Sequence, residues 1–576
     1  MSAVMLDYAP PLEEDQIRIL VILPVEAIDA RIECSLERTS LDSPCEYTCL
    51  SYSCSDRDDG VVEFCETIFC DGVEIRVTKG AYHALRRIRQ LGGYHVWVDA
   101  ICIDQRNDTE RSQQVSVMAK IYTAARTVFV WVGEESDQED GRHAMTCFAG
   151  LGSLSHLNNE WTAKPPKEDD AHGLQGPLAW SWLVGRWCLA RSDGHFQLFQ
   201  TGSTHRQYQE GQPAPPPPPF TFPALLRQYG DDLKRVRQPL LNYVLAFLRR
   251  RWFGRKWVLQ ETHRARSISL HCGNMSLDFV TFQDGIELLN DHTNNLWIAD
   301  SSWDFASVYR ARHVADLRTW GPYTRGDLRG KRRIGETPPD VMYRFGDFDC
   351  SDDRDRVLAL LSFFECPTIS PDYSLTVEET YVAFATSLLE NGHIGKTLWQ
   401  AAIRKVEEPA DVRAIPSWVP DWRNKTSISM DLWPTDSEAR YTFGPALCDA
   451  EYRNNSDGSL SLQAWTVTFS SPGGQPFEFE RCPCGSVERA GLLKGCIYAS
   501  MSDWGLVKDH VGITHGDVRA GDMMLALWRM RKSDADFIVV RSVCSDAASC
   551  RIVGWCWVKY DTPYQISLQP VNLKIV

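Results

Sequence analysis

The stretch Val96-Trp97-Val98-Asp99-Ala100-Ile101-Cys102-Ile103-Asp104-Gln105 decides the fold. It passes from an apolar segment, Tyr94 to Val98, that reads as a buried strand into a loop punctuated by Asp99 and Asp104. Before it, Ala81, Leu85, Ile88 and Leu91 recur at helical spacing and stop at Gly92-Gly93. After it, Val115, Met118, Ile121, Tyr122 and Ala125 mark a second helix, and Thr127 to Val132 is a nearly all-apolar strand.

Upstream, Ile17 to Leu23 and Tyr47 to Tyr52 are apolar runs of strand length, and Val73-Glu74-Ile75-Arg76-Val77 alternates with period two. Strands alternating with helices predict an α/β domain built on a parallel sheet covered on both faces. In such sheets ligands gather at the carboxyl ends of the strands, which makes Asp99 the best-placed acidic residue of the chain.

Composition narrows the function classes. The 576 residues exceed one hydrophobic core. With 43% apolar and 24% charged residues, a globular protein is expected. A net charge of −15, from 61 basic and 76 acidic residues, argues against nucleic acid as a partner. The clear basic cluster, Arg249-Arg250-Arg251 with Arg255-Lys256, is interleaved with Trp252, Phe253 and Trp257 and reads either as a paired internal surface or as a binding patch. Met1 to Pro11 lacks the basic start and apolar run of a secretory signal, and no run approaches the ~20 apolar residues that span a bilayer. A soluble cytoplasmic protein without a membrane span is therefore expected, and its 19 cysteines should be reduced thiols. Cys34, Cys45, Cys49, Cys54, Cys65 and Cys70 lack the paired spacing and nearby histidines of zinc sites, so no metal is expected.

Four regions follow: a core over 17–133; a variable insertion over 134–223 containing the proline run Pro215 to Pro219; a mainly helical region over 224–435; and a β-rich region over 440–576. In the helical region, Leu240 to Arg251 is a helix candidate and acidic Asp352 to Asp355 precedes Val357, Leu360, Leu361 and Phe364. Thr376 and Glu379 have capping-box spacing ahead of a stripe at Val377, Tyr381, Phe384 and Leu388. The block Pro416 to Trp422 is expected to pack as a rigid corner between domains. Leu460 to Ala464, Met523 to Trp528, Asp536 to Val540 and Arg551 to Val558 are strand candidates.

Several blocks resemble the fungal heterokaryon-incompatibility (HET) domain, in that family's order. They are Tyr47-Thr48-Cys49-Leu50-Ser51-Tyr52, the Trp97 to Gln105 segment, Glu110-Arg111 with Gln113-Gln114-Val115, and Val128 to Gly133. Trp252-Phe253-Gly254-Arg255-Lys256-Trp257-Val258-Leu259-Gln260-Glu261 follows, with Asp353 to Val357, Pro371 to Ser374 and Pro416 to Trp422 beyond it. One departure stands out: where the family continues its LSY strand with a Trp-Gly pair, this chain has Cys54 and Ser55.

The resemblance implies a sheet distantly similar to Toll-receptor-type (TIR) and flavodoxin-like domains. It also implies a role in fungal nonself recognition, triggering incompatibility-type programmed cell death through protein partners, with self-association a further option. A second reading, by analogy with TIR domains that cleave NAD with a glutamate, is an enzyme; only there does NAD enter as a cofactor, and otherwise none is expected. A third is a degenerate paralogue serving as a regulatory scaffold, suggested by Cys54 and Ser55.

Asp99 and Glu261 are the catalytic candidates; Asp99, Asp104, Gln105, Glu110 and Gln260 are candidates for binding a ligand or partner. Each has a plainer reading, as a turn former or a partner of buried backbone groups. Cys102, between two isoleucines, reads as core. There is no Walker A loop, strand-linked GxGxxG, GxSxG or HExxH, so no established catalytic activity is assigned.

Overall fold

A computed structural model describes residues 6–25, 30–53, 62–136, 140–155, 242–286, 305–317, 337–364, 369–402 and 415–423. In the C-terminal part it describes 441–443, 452–470, 479–480, 504–507, 512–516, 522–526, 530–531, 534–543, 549–559 and 565–576. The chain divides into two compact units, Met1–Lys331 and Arg332–Val576. The proline run, Cys54 and Ser55 lie outside the described residues.

The first unit is α/β. Its strands are β1 (Gln16–Ile22), β2 (Glu33–Ser40), β3 (Thr48–Tyr52), β4 (Glu66–Cys70), β5 (Val73–Val77), β6 (His95–Trp97), β7 (Thr127–Trp131), β8 (Ile268–Cys272) and β9 (Met275–Asp278). They form one sheet in the order β5-β4-β2-β1-β6-β3-β7-β8-β9. Its middle strands β6, β3, β7 and β8 run parallel. Around them β1 is antiparallel to both neighbours, and β4–β5 and β8–β9 are antiparallel hairpins. The sheet is therefore mixed, not parallel throughout. Ile17 to Leu23 was expected to join a parallel sheet, but patterning records burial on two faces and not strand direction; the Ile17, Ile19, Leu20 and Ile22 side chains are fully buried in an antiparallel strand.

Helix α1 (Lys79–Gln90) starts where the Thr78 side chain accepts from the Ala81 amide, buries Ala81, Ala84, Leu85 and Ile88, and stops as Gly92 turns left-handed at φ +80°. The segment after β6 is a one-turn helix, α2 (Asp99–Cys102), where a loop was expected. Its Ile101 and Cys102 turn inward, so burial folds the segment back on the sheet. Helix α3 (Asp108–Ala124) is capped by the Asn107 side chain. It buries Gln114, Val117, Met118, Ile121 and Tyr122, leaving Val115 half-exposed. Helix α4 (Asp140–Ser155) follows β7, and after the segment 156–241 the chain returns through a short helix over 242–248, a 3-10 turn Arg251–Gly254 and helix α5 (Lys256–Arg264) into β8. Among the described residues no helix is long and apolar enough to cross a membrane.

The second unit joins helices to a β-sheet. The capping box at Thr376 and Glu379 opens the helix Val377–Glu390, while Asp352 to Phe364 forms only a helical turn Asp355–Leu358 and a 3-10 turn Leu361–Phe363. Strand Gln565–Ile575 bonds to both Leu460–Ser470 and Ser549–Lys559. With Met523–Ala526 and Asp534–Ser542 between them, five strands close into a ring, and helix Ile394–Ala402 packs on two of these strands. The Pro416 to Trp422 block forms a corner within this unit. Trp418 Nε1 donates to Gly458 O (2.9 Å), Trp422 Nε1 donates to Gln400 Oε1 (2.9 Å), and the Ser417 amide donates to Val576 O (3.1 Å).

Candidate functional site

Strand β3 is central and should carry apolar side chains on both faces, yet Ser51 stands in it, 1% exposed. A buried hydroxyl without partners is costly, so its bonds locate whatever the sheet is arranged around. Trp252 Nε1 donates to Ser51 Oγ at 2.8 Å, and the Ser51 hydroxyl donates to Glu261 Oε2. Trp252 comes from the 3-10 turn and Glu261 from α5. Beside them the Arg255 guanidinium donates to the carbonyl of Tyr52. Ser51, Trp252 and Glu261 are all buried.

Burial pushes the Glu261 carboxyl up to about 7, against the Arg255 charge and the Ser51 bond, which favour the ionised form; Asp99 adds a further push upward. The Asp99 charge also bears on Cys49 and Tyr122, which line the same interior. The two catalytic candidates are thus brought within electrostatic reach of each other. A carboxyl that titrates near neutrality can exchange a proton under physiological conditions, which suits a general acid or base.

The other candidates divide. Asp99 is half-exposed at the start of α2; its Oδ1 accepts from the Ala100 amide (2.8 Å), and Gln105 Nε2 donates to its carbonyl (2.8 Å). Asp104 accepts from the amide and Nε of Arg106 (3.2 and 3.1 Å). Glu110 has no free face: it accepts from both terminal nitrogens of Arg18 (2.5 and 3.2 Å) and from the Asp104 amide (2.8 Å). Arg18 also donates to the carbonyls of Cys102 and Tyr8, so this buried pair ties β1 to α2 and α3. Gln260 is buried beside Glu261 in α5. Burial pushes the Cys102 thiol up to about 12, as expected of a core cysteine.

The basic cluster divides: Arg249 is exposed, whereas Arg250 and Lys256 turn inward. Arg250 donates to the carbonyls of Val132 (3.3 Å) and Glu134 (2.8 Å) and to Asp140 (3.1 Å), and Lys256 is 2% exposed. Ser51 and Trp252 were not among the candidate residues. The available signal was a small polar residue, Ser51, between Leu50 and Tyr52 in the buried part of a central strand.

The segment bounded by β3 and Glu261 matches a known family: residues 47–261 fit the family described as Heterokaryon incompatibility protein (HET). Residues 47–261 are a HET domain. The match begins one residue before β3 and ends on Glu261, so the residues joined by the Ser51–Glu261 bond come from its two ends. The chain is also 24% identical over 452 residues to the Heterokaryon incompatibility protein 6, OR allele, of Neurospora crassa. That similarity covers 71% of this chain and 58% of the relative, so the chain spans less than two thirds of the relative's length. No solved structure matches the chain. Among the described residues the HET domain brings no three His, Cys, Asp or Glu side chains together as a metal-binding group.

Proposed function

We propose that this protein acts in fungal nonself recognition, its HET domain triggering incompatibility-type cell death through protein partners in the cytoplasm. The observation that carries this reading is the family match over 47–261, whose two ends meet at a buried polar link. Similarity to an incompatibility protein over 71% of the chain supports it. Induction of the full-length protein in a filamentous fungus is expected to arrest growth and kill cells. Normal growth at readily detected protein levels would overturn the proposal.

Glu261 favours a second reading, an enzyme acting on NAD or a related nucleotide. Its carboxyl titrates near 7 and lies within reach of Asp99 at the end of a parallel strand. Under this reading Glu261 exchanges the proton, while Asp99, Asp104 and Gln105 offer polar contacts beyond the carboxyl end of β6. Purified protein incubated with NAD would release nicotinamide, and Glu261→Ala would abolish release. No release, together with unchanged killing by Asp99→Ala and Glu261→Ala, removes the enzymatic reading.

A further inference from the structure

Strand β5 ends the nine-stranded sheet, and among the described residues no strand pairs with its outer edge. An open strand edge is a row of unpaired amides and carbonyls that another strand can extend, and proteins commonly blunt such edges with charge or irregularity. β5 carries one charge of each sign, Glu74 and Arg76, both exposed and symmetric about Ile75.

The register fixes which groups face outward. The β4–β5 hairpin turns at Asp71-Gly72, both left-handed at φ +49° and +76°, the pattern of a two-residue type I′ turn closed by Cys70 and Val73. Alternation from that closing pair directs the backbone groups of Val73, Ile75 and Val77 toward β4 and those of Glu74 and Arg76 away from it. The outward backbone groups therefore belong to the two charged residues.

We infer that β5 is a self-pairing edge, at which a second copy of this chain docks antiparallel about a two-fold axis through Ile75. In that register Glu74 of each copy is the hydrogen-bonded partner of Arg76 in the other. Each such pair exchanges two backbone bonds and sets opposite charges face to face. Val73 falls opposite Val77. A two-fold contact needs a surface complementary to itself, and Val-Glu-Ile-Arg-Val is complementary to its own reverse. Arg76 Nε and Nη2 already hold the Phe64 carbonyl (3.0 and 2.8 Å), which orders the guanidinium and leaves Nη1 for the incoming carboxylate. Phe64, 56% exposed, adds an apolar flank beside it.

The opposite edge of the sheet lacks these features. β9 reads Met-Ser-Leu-Asp, which places no cation against its carboxylate, and Asp278 is occupied by the Val280 and Thr281 amides. Pairing through β5 is independent of the signalling role proposed above, and a dimer without cell killing would separate the two.

Sedimentation of the full-length protein across micromolar concentrations tests the pairing. Wild type should show a concentration-dependent dimer. Glu74→Arg and Arg76→Glu each set like charges opposite one another and should each weaken dimerisation by about tenfold or more. An equimolar mixture of the two variants restores both opposite-charge contacts and should form a heterodimer. Should either single variant fold poorly, the double exchange Glu74→Arg with Arg76→Glu keeps the strand's composition and should self-pair like wild type. A wild type that stays monomeric, a dimer indifferent to the single variants, or a mixture and double exchange that both fail to recover pairing would overturn the inference.

Discussion

Glu261→Gln tests the electrostatics of the HET-domain interior. Glu261 is 2% exposed, and burial raises its carboxyl from 4.5 to about 7. A raised acid pKa means that the folded state holds the proton more tightly than the unfolded chain. Stability is then full below pH 4.5 and declines as pH rises through 7, levelling off above it. The shift corresponds to about 3 kcal/mol, of which about 2–3 kcal/mol falls between pH 5 and pH 8. Glutamine has nearly the same shape, can accept the Ser51 hydroxyl and never ionises. The stability of the variant relative to wild type should therefore improve by about 2–3 kcal/mol from pH 5 to pH 8, whatever constant cost its amide group adds. Urea unfolding of both full-length proteins at the two pH values measures this, read on the transition that Arg18→Ala also moves. A difference independent of pH would refute the reasoning. A variant that loses ground at pH 8 would show that the interior holds Glu261 as a carboxylate.

Arg18→Ala leaves Glu110 buried without its guanidinium, and removal of one partner from such a pair costs about 3–5 kcal/mol; calorimetry should show the N-terminal unit melting earlier, with the second unit unchanged. Tyr373→Phe removes a buried hydroxyl that donates to Asp355 Oδ1 at 2.6 Å and leaves that carboxylate short of a donor. Its cost of about 1–3 kcal/mol should appear only in the transition of the second unit.

What the sequence makes legible is local. The strands at Tyr47 to Tyr52 and Thr127 to Val132 announce themselves because continuous burial demands continuous apolar residues, and Thr376 with Glu379 announces a helix start because the two cap each other. Strand direction is a property of pairs. Nothing in Ile17 to Leu23 states that it lies between β2 and β6 and antiparallel to both. The site is hidden for the same reason. Glu110 reads as a helix-start carboxylate until Arg18, 92 positions away, occupies it. Ser51 and Glu261 stand 210 positions apart. Their proximity follows only once α5 is known to feed β8, beside β7. The position of Asp99 was legible because an acidic residue that directly follows a strand stands at that strand's carboxyl end whatever the partners are.

The connection from β7 to β8 raises the question of how a domain keeps its central link across a long intervening segment. The neck of that segment is closed by the unit itself. The Gly273 amide donates to Gly133 O (3.1 Å), the Val132 amide donates to His271 O (3.0 Å), and Arg250 binds the carbonyls on the outgoing side. Above the neck His143 stacks on Tyr243 (4.6 Å) and Phe148 packs on Phe247 (6.2 Å), so α4 and the helix over 242–248 run side by side in the same direction. The end of α4 at Ser155 therefore lies twelve residues beyond the level of His143, about 18 Å from the start of the returning helix. A Gly/Ser linker of about 12 residues has a mean span of about 19 Å and should replace residues 156–241 without strain. The shortened protein should therefore fold and be about as stable as the full chain. Unfolding and far-ultraviolet circular dichroism of the two proteins measure this. A shortened chain that fails to fold would mean that residues within 156–241 complete the core of the first unit, and that the neck does not hold the domain closed.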